Sequence, residues 1–191
     1  MSKNSYVGQL LVANPLNPKD SLTHSVILVV THTSELSLGL QINRPILDLS
    51  MADVSDQVGV YVTSSEPIFY GGNMSPNKIH VIHSNEWQGL TTIPITDTLS
   101  VTNDVSVLVA LSRGDGPEYW KACAGCWAWE SGQLEEQLSA KPESKVRHRW
   151  ELATADPEIV FDSGPSLDIW HRVIEAAARE QVSAWLNPSP G

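Results

Sequence analysis

The sequence predicts an α+β fold: a curved, mixed or mostly antiparallel sheet packed with a few helices, including a long C-terminal helix. Three observations predict it. Runs rich in β-branched residues follow one another directly, as in residues 25–33 (SVILVVTHT) and 38–43 (LGLQIN), and such runs fit buried strands. Helical patterns are few and short until the C-terminal segment. A regular strand–helix–strand alternation, the sign of a parallel sheet, is absent. With 191 residues, no internal repeat and no linker-like stretch, the chain reads as a single domain over 1–191, with 187–191 a frayed tail.

Residues 6–12 read as a first strand, broken by Pro15 and Pro18. Residues 25–33 fit a central strand, and 38–43 pair with it through the 33–37 connection. Arg44-Pro45 is expected to end regular pairing, because proline has no N–H to donate. Residues 48–58 hold a short helix, and 67–70 form a short strand closed by Gly71-Gly72. Residues 78–84 (KIHVIHS) and 93–99 are further strands. Asn103 or Asp104 caps a helix through Leu111, with Val105, Leu108, Val109 and Leu111 as its apolar face. After the turn cluster at 113–117, residues 119–127 form a strand. A helix follows from about 132 to 141, with Ser131 as its cap and Pro142 just beyond. Residues 146–152 and 158–161 read as late strands. The last helix starts near Gly164-Pro165, with Leu167, Trp170, Ile174, Ala177 and Trp185 on one face and Glu175 placed to pair with Arg179.

Composition narrows the function classes. Apolar residues make up 41% and charged residues 18%, and the net charge is −10. That balance fits a globular chain and opposes direct DNA binding, whose affinity comes mostly from basic side chains neutralising phosphates. No secretory signal opens the sequence, no apolar run approaches the roughly 20 residues that span a bilayer, and two cysteines cannot frame a secreted domain. A cytoplasmic location is expected.

The motifs that carry chemistry are sparse. Cys123-Ala124-Gly125-Cys126 is a C-x-x-C. In a regular strand a spacing of three puts the thiols on opposite faces and their Cα atoms roughly 10 Å apart. That argues against a disulfide, and no second pair completes a zinc site. The same alternation separates His80 from His83. No nucleotide-binding glycine loop or G-x-S-x-G elbow is present. No catalytic residue, metal ligand or cofactor is therefore assigned. Gly71-Gly72 reads as a tight turn requiring positive φ, or alternatively as an anion-holding nest. The basic segment 141–149 reads as a solvated strand face.

Taken together, several stretches resemble the bacterial YqgE/AlgH family over nearly the whole chain. They are Leu11-Val12-Ala13-Asn14-Pro15, Ser25 through His32, Leu38 through Pro45, Phe69-Tyr70-Gly71-Gly72, His83, Trp129-Glu130-Ser131-Gly132-Gln133-Leu134-Glu135, and the aromatic positions Trp150, Phe161 and Trp170. The resemblance implies a compact cytosolic α+β fold without a settled biochemical activity, together with a label of transcriptional regulation. The leading expectation is a non-enzymatic binding or regulatory protein acting on a protein or small-molecule partner. Its site would gather His32, Asn43, Gly71, Gly72, His83, Trp129, Gly132 and Gln133 in one polar pocket. Two alternatives are an enzyme using His32 or His83 as general base and a regulator acting directly on DNA. The sequence carries no signal of oligomeric state.

Overall fold

The computed structural model describes residues 5–16, 19–139 and 149–187. Its strands are β1 (Gln9–Ala13), β2 (Val26–His32), β3 (Leu36–Gln41), β4 (Pro45–Ser50), β5 (Pro67–Tyr70), β6 (Met74–Ser84), β7 (Ile93–Pro94), β8 (Leu99–Thr102), β9 (Trp120–Glu130) and β10 (Trp150–Thr154). Its helices are α1 (Met51–Gln57), α2 (Ser106–Arg113), α3 (Gln133–Leu138), α4 (Pro157–Val160) and α5 (Ser166–Leu186). The strands form one curled sheet in the order β10-β1-β2-β3-β9-β6-β8-β7, with β5 added to β9 and β4 to β5. All pairings are antiparallel except β5 with β9.

Both faces of the sheet are covered, which is why its central strands are apolar runs rather than alternating ones. Leu10, Val12, Val26, Leu28, Leu40 and Ile42 point inward and meet Ile169, Trp170, Val173 and Ala177 of α5. Leu11, Ala13, Ile27 and Val29 point the other way and pack with Trp129, Leu134 and Trp150. A third cluster joins Ile68, Val81, Ala122 and Ala124 to Met51 of α1 and to Val107 and Leu108 of α2.

Strand β9 holds the sheet together. One of its edges carries β3 along 127–130 and then β5 along 122–124, while the other edge carries β6. The chain leaving β5 must therefore cross β9 to begin β6. It does so in three residues, directly over Gly125 and Cys126. A Cβ on Gly71 would lie 2.3 Å from the Gly125 carbonyl oxygen, and one on Gly72 would lie 2.1 Å from the Cys126 carbonyl carbon. Gly125 answers from below: its φ is +71°, and a Cβ there would lie 2.5 Å from the Gly72 oxygen. Gly71 and Gly72 are thus required by close backbone approach; neither has the positive φ expected of a tight turn.

The irregularity at Gly125 also re-phases β9. Cys123 and Cys126 both enter the inner core, although strict alternation predicts opposite faces. Both thiols are free and buried. Burial pushes the Cys123 thiol up to about 12 and raises Cys126 as well, so neither is a thiolate near neutrality.

Several local expectations are corrected. Pro45 opens β4 instead of ending pairing; the ladder with β5 is sparse, joining Pro45 to Phe69 and Ser50 to Pro67, which tolerates a missing donor. Residues 158–161 are not a strand. Asp156 caps α4 by accepting the Glu158 N–H at 2.9 Å, and Pro157 occupies the first turn. Ser131 does not cap α3; Gly132 does, at φ +74°. The expected strand at 93–99 is a tight return between β7 and β8, closed by the Ile95 N–H donating to the Leu99 carbonyl. On α5, Leu167 faces solvent, and Ile169 and Val173 take the core positions. The basic segment is described only at Arg149, which pairs with Asp20 at 2.5 Å; the rest of it lies outside the described residues, as do positions 188–191 of the tail. Among the described residues, no helix is long and apolar enough to cross a membrane.

The two kinds of glycine separate by experiment. Gly72→Ala forces backbone apart and should cost about 3 kcal/mol or abolish folding. Gly132→Ala has open space around it and should cost only about 1–2 kcal/mol for the left-handed conformation. Urea unfolding of both variants checks the order.

Candidate functional site

The eight sequence-predicted residues do not converge on one pocket. The structure divides them among four places.

His32, Trp129, Gly132 and Gln133 lie together at one end of the β2–β3–β9 sheet. His32 Nδ1 is 2.8 Å from Ser37 Oγ, its cross-strand neighbour, and Nε2 is 3.5 Å from Glu135 Oε1 on α3. The Tyr6 ring meets the imidazole edge-on at 4.9 Å. Gln133 Oε1 accepts the Glu130 N–H at 3.0 Å, closing the turn between β9 and α3. Trp129 is buried, and its indole N–H donates to Gln137 Oε1 at 3.1 Å; Trp150 donates to the same oxygen at 2.8 Å. The Trp-Glu-Ser-Gly-Gln motif therefore braces a strand-to-helix turn, with Gln137 pinning two indoles.

Asn43 sits at the opposite end of β3. Its Oδ1 accepts the Val26 N–H at 3.0 Å, and its Nδ2 donates to the carbonyls of His24 (2.8 Å) and Ser166 (3.0 Å). The amide so ties the start of β2 to the entry of α5. Gly71 and Gly72 lie at the β9 crossing, with the Gly71 N–H donating to the Ala124 carbonyl at 2.8 Å. His83 lies far along β6, fully buried, with Nδ1 2.9 Å from the Ser84 carbonyl and its ring edge-on to Trp87. Burial holds its pKa below the ordinary range, so the ring is neutral at pH 7.

A residue the sequence reading passed over is Lys121, in the apolar stretch WKACAGCWAWE of β9. It is 2% exposed. Its ammonium donates to the carbonyls of Ile42 (3.0 Å) and Asp162 (2.5 Å) and stands 4.1 Å from the Phe69 ring centroid. Desolvation lowers its pKa to about 8, against the attraction of Asp162 and Glu66. A lone lysine within a buried strand pattern was the available signal, since such a charge needs partners.

Beside the Asp162 end of this tie opens a cleft of about 610 Å³, lined by Ser84, Thr98, Tyr119, Pro157, Glu158, Phe161 and Asp162. Tyr119 and Phe161 lie 5.9 Å apart with their planes tilted by 33°. The Asp162 side chain accepts the Gly164 N–H at 2.7 Å and pairs with Arg172. The lining comes from β6, the β7–β8 turn, the residue before β9, and the α4 segment. No local pattern announces such a gathering. Among the described residues, no group of three or more His, Cys, Asp or Glu side chains is placed to hold a metal ion.

A curled α+β half-barrel, with a backbone crossing at its central strand and a C-terminal helix whose first half packs on its inner face, defines the class of protein. The family model described as AlgH-like matches residues 10–181, and the chain belongs to that family. It is 32% identical to a UPF0301 protein of Aliivibrio fischeri over 86% of this chain and 88% of the relative. It is also 32% identical to a UPF0301 protein of Alcanivorax borkumensis, over 90% and 87%. The solution structure of the AlgH protein from Pseudomonas aeruginosa superposes with a TM-score of 0.71 at 29% identity, covering 100% of this chain and 99% of that one. A Corynebacterium diphtheriae protein shares the fold, with a TM-score of 0.69 at 22% identity.

Lys121 gives a pH signature. The unfolded chain holds this proton to about its ordinary value of 10.5, the native state only to about 8. Between these values the unfolded state binds more protons, so stability rises with pH, by about 3 kcal/mol across the window. The Cys123 thiol acts oppositely above its ordinary 9.0, because it stays protonated only when folded. Urea unfolding between about pH 7.5 and 9 should therefore show stability rising in the wild type relative to Lys121→Met; parallel profiles would refute the assignment.

Proposed function

We propose that this protein is a cytoplasmic, non-enzymatic binding protein of regulatory type, and that it holds its ligand in the Tyr119–Phe161 cleft. One observation carries this reading: the cleft pairs two aromatic walls with a few polar side chains, the composition of a binding pocket. The roles of the family-motif residues support it. Asn43, Trp129 and Gln133 spend their polar atoms on neighbouring backbone or side chains, and Gly71 and Gly72 serve a backbone crossing. The net charge of −10 supports regulation through a ligand or protein partner over direct contact with DNA phosphates. Two buried free thiols accord with a reducing compartment.

A second reading, a hydrolase, is favoured by the Ser37–His32–Glu135 chain, which sets a hydroxyl, an imidazole and a carboxylate in the order of a nucleophile, a base and an orienting acid. Ser37 is 2% exposed, however, and its hydroxyl sits between strands, which fits a structural relay better than an attacking group.

Titration with a library of small aromatic and amine fragments, followed by amide NMR shifts, tests the choice. Shifts should centre on Ser84, Thr98, Tyr119, Glu158 and Phe161 and vanish in Tyr119→Ala. Shifts confined to other surfaces, or covalent labelling of Ser37 by a fluorophosphonate, would overturn the binding assignment.

A further inference from the structure

We infer that the ligand of the Tyr119–Phe161 cleft is an organic cation, an amine or quaternary ammonium attached to a small apolar body. This rests on the binding reading above and adds the chemical class.

The walls are suited to a soft cation. Tyr119 is 55% exposed and its ring is tilted by 33° against Phe161, so the pair presents a π surface to the cleft. Aromatic faces attract cations through their quadrupole, most strongly when the cation is weakly hydrated. Pro157 completes the apolar lining, and Ser84 and Thr98 add hydroxyls.

Among the described residues, the charged side chains that line the cleft are acidic, Glu158 and Asp162. Glu86 lies directly behind Ser84, accepting its hydroxyl at 2.7 Å and the Glu118 N–H at 2.7 Å. Burial works to raise the Glu86 carboxyl, but the hydrogen bonds from Glu118 and Ser84 outweigh it and hold the group below the usual range, so it is ionised at neutral pH. Asp97 and Glu118 adjoin the lining residues Thr98 and Tyr119 in sequence.

Two cations stand nearby, and neither fills the role of ligand. Lys121 is sealed beneath the cleft, with its ammonium turned to the carbonyls of Ile42 and Asp162. Arg172 is held against the Asp162 carboxylate. Asp162 is thereby largely balanced within the fold. Glu158, exposed at the first turn of α4, remains as the carboxylate that faces an incoming charge. A neutral apolar ligand would leave that carboxylate unused, and an anion would meet Glu158 with the ionised Glu86 behind it.

The test uses a cation and its neutral carbon isostere on the full chain. Choline and 3,3-dimethyl-1-butanol have the same shape and differ in one charge. By amide NMR titration at low salt, choline should shift Tyr119, Glu158 and Phe161 and bind at least about tenfold more tightly than the alcohol. Its affinity should fall as salt rises. Glu158→Gln should weaken choline severalfold and leave the alcohol unchanged. Tyr119→Leu, which keeps apolar bulk but removes one of the two π faces, should reduce the preference severalfold. Equal or tighter binding of the alcohol at these residues would overturn the cation inference while leaving the cleft as the binding site. Binding of library fragments there without either probe would do the same. Silence of the cleft toward both probes and the whole library would remove both readings.

Discussion

The contact on which the rest of this structure depends is backbone against backbone, where residues 71–73 cross β9 over Gly125. It lets one strand serve two groups of neighbours. Along one edge β9 accepts β3 and then β5, and along the other it accepts β6. Without the crossing, β5 and β6 could not lie on opposite edges with only three residues between them. The same site sets the side-chain phase of β9, so that Cys123 and Cys126, on either side of Gly125, fill the same core. Three glycines are needed because any Cβ at the crossing would sit inside van der Waals contact of a main-chain atom, and main chain cannot turn aside as a side chain can.

A second constraint is polar and lies at the end of the sheet where α5 begins. Asn43 and Lys121 are both buried, and both spend their donors on main-chain carbonyls of the segment that leads into α5. Burying an ammonium costs free energy that its hydrogen bonds and the Phe69 ring offset only in part, which is why its proton is held loosely. In return the 162–166 segment is fixed against β3 and β9. That fixation places Phe161 opposite Tyr119 and gives the cleft its shape. The polar groups of the family motif thus act mainly through position: they hold loops and turns where an open surface can form beside them.

The division between motif and cleft bears on what was legible in the sequence. The Trp-Glu-Ser-Gly-Gln segment stands out in sequence because a tight turn with φ at +74°, closed by the Gln133 side chain accepting the Glu130 N–H, needs particular residues in a row. A cleft assembled from β6, the 98 turn, residue 119 and the 157–162 segment needs only compatible surfaces from distant positions, and so leaves no contiguous trace. Lys121 is the intermediate case. Its oddity within a buried strand is visible in sequence, but its partners, Ile42 and Asp162, are 79 and 41 residues away.

By itself the sequence determined the fold class, the central strands and the long C-terminal helix, because β-branched runs and an amphipathic stretch opened by Gly164-Pro165 are local physical signals. It also determined the family, through residues whose spacing is preserved along the chain. Tertiary structure alone decided the rest. It showed that Gly71 and Gly72 answer to a crossing strand and that Cys123 and Cys126 share a core because Gly125 breaks alternation. It also separated His32, Asn43 and His83 along different strands, because antiparallel pairing fixes which ends of a sheet can meet, and no single strand's sequence specifies its neighbours.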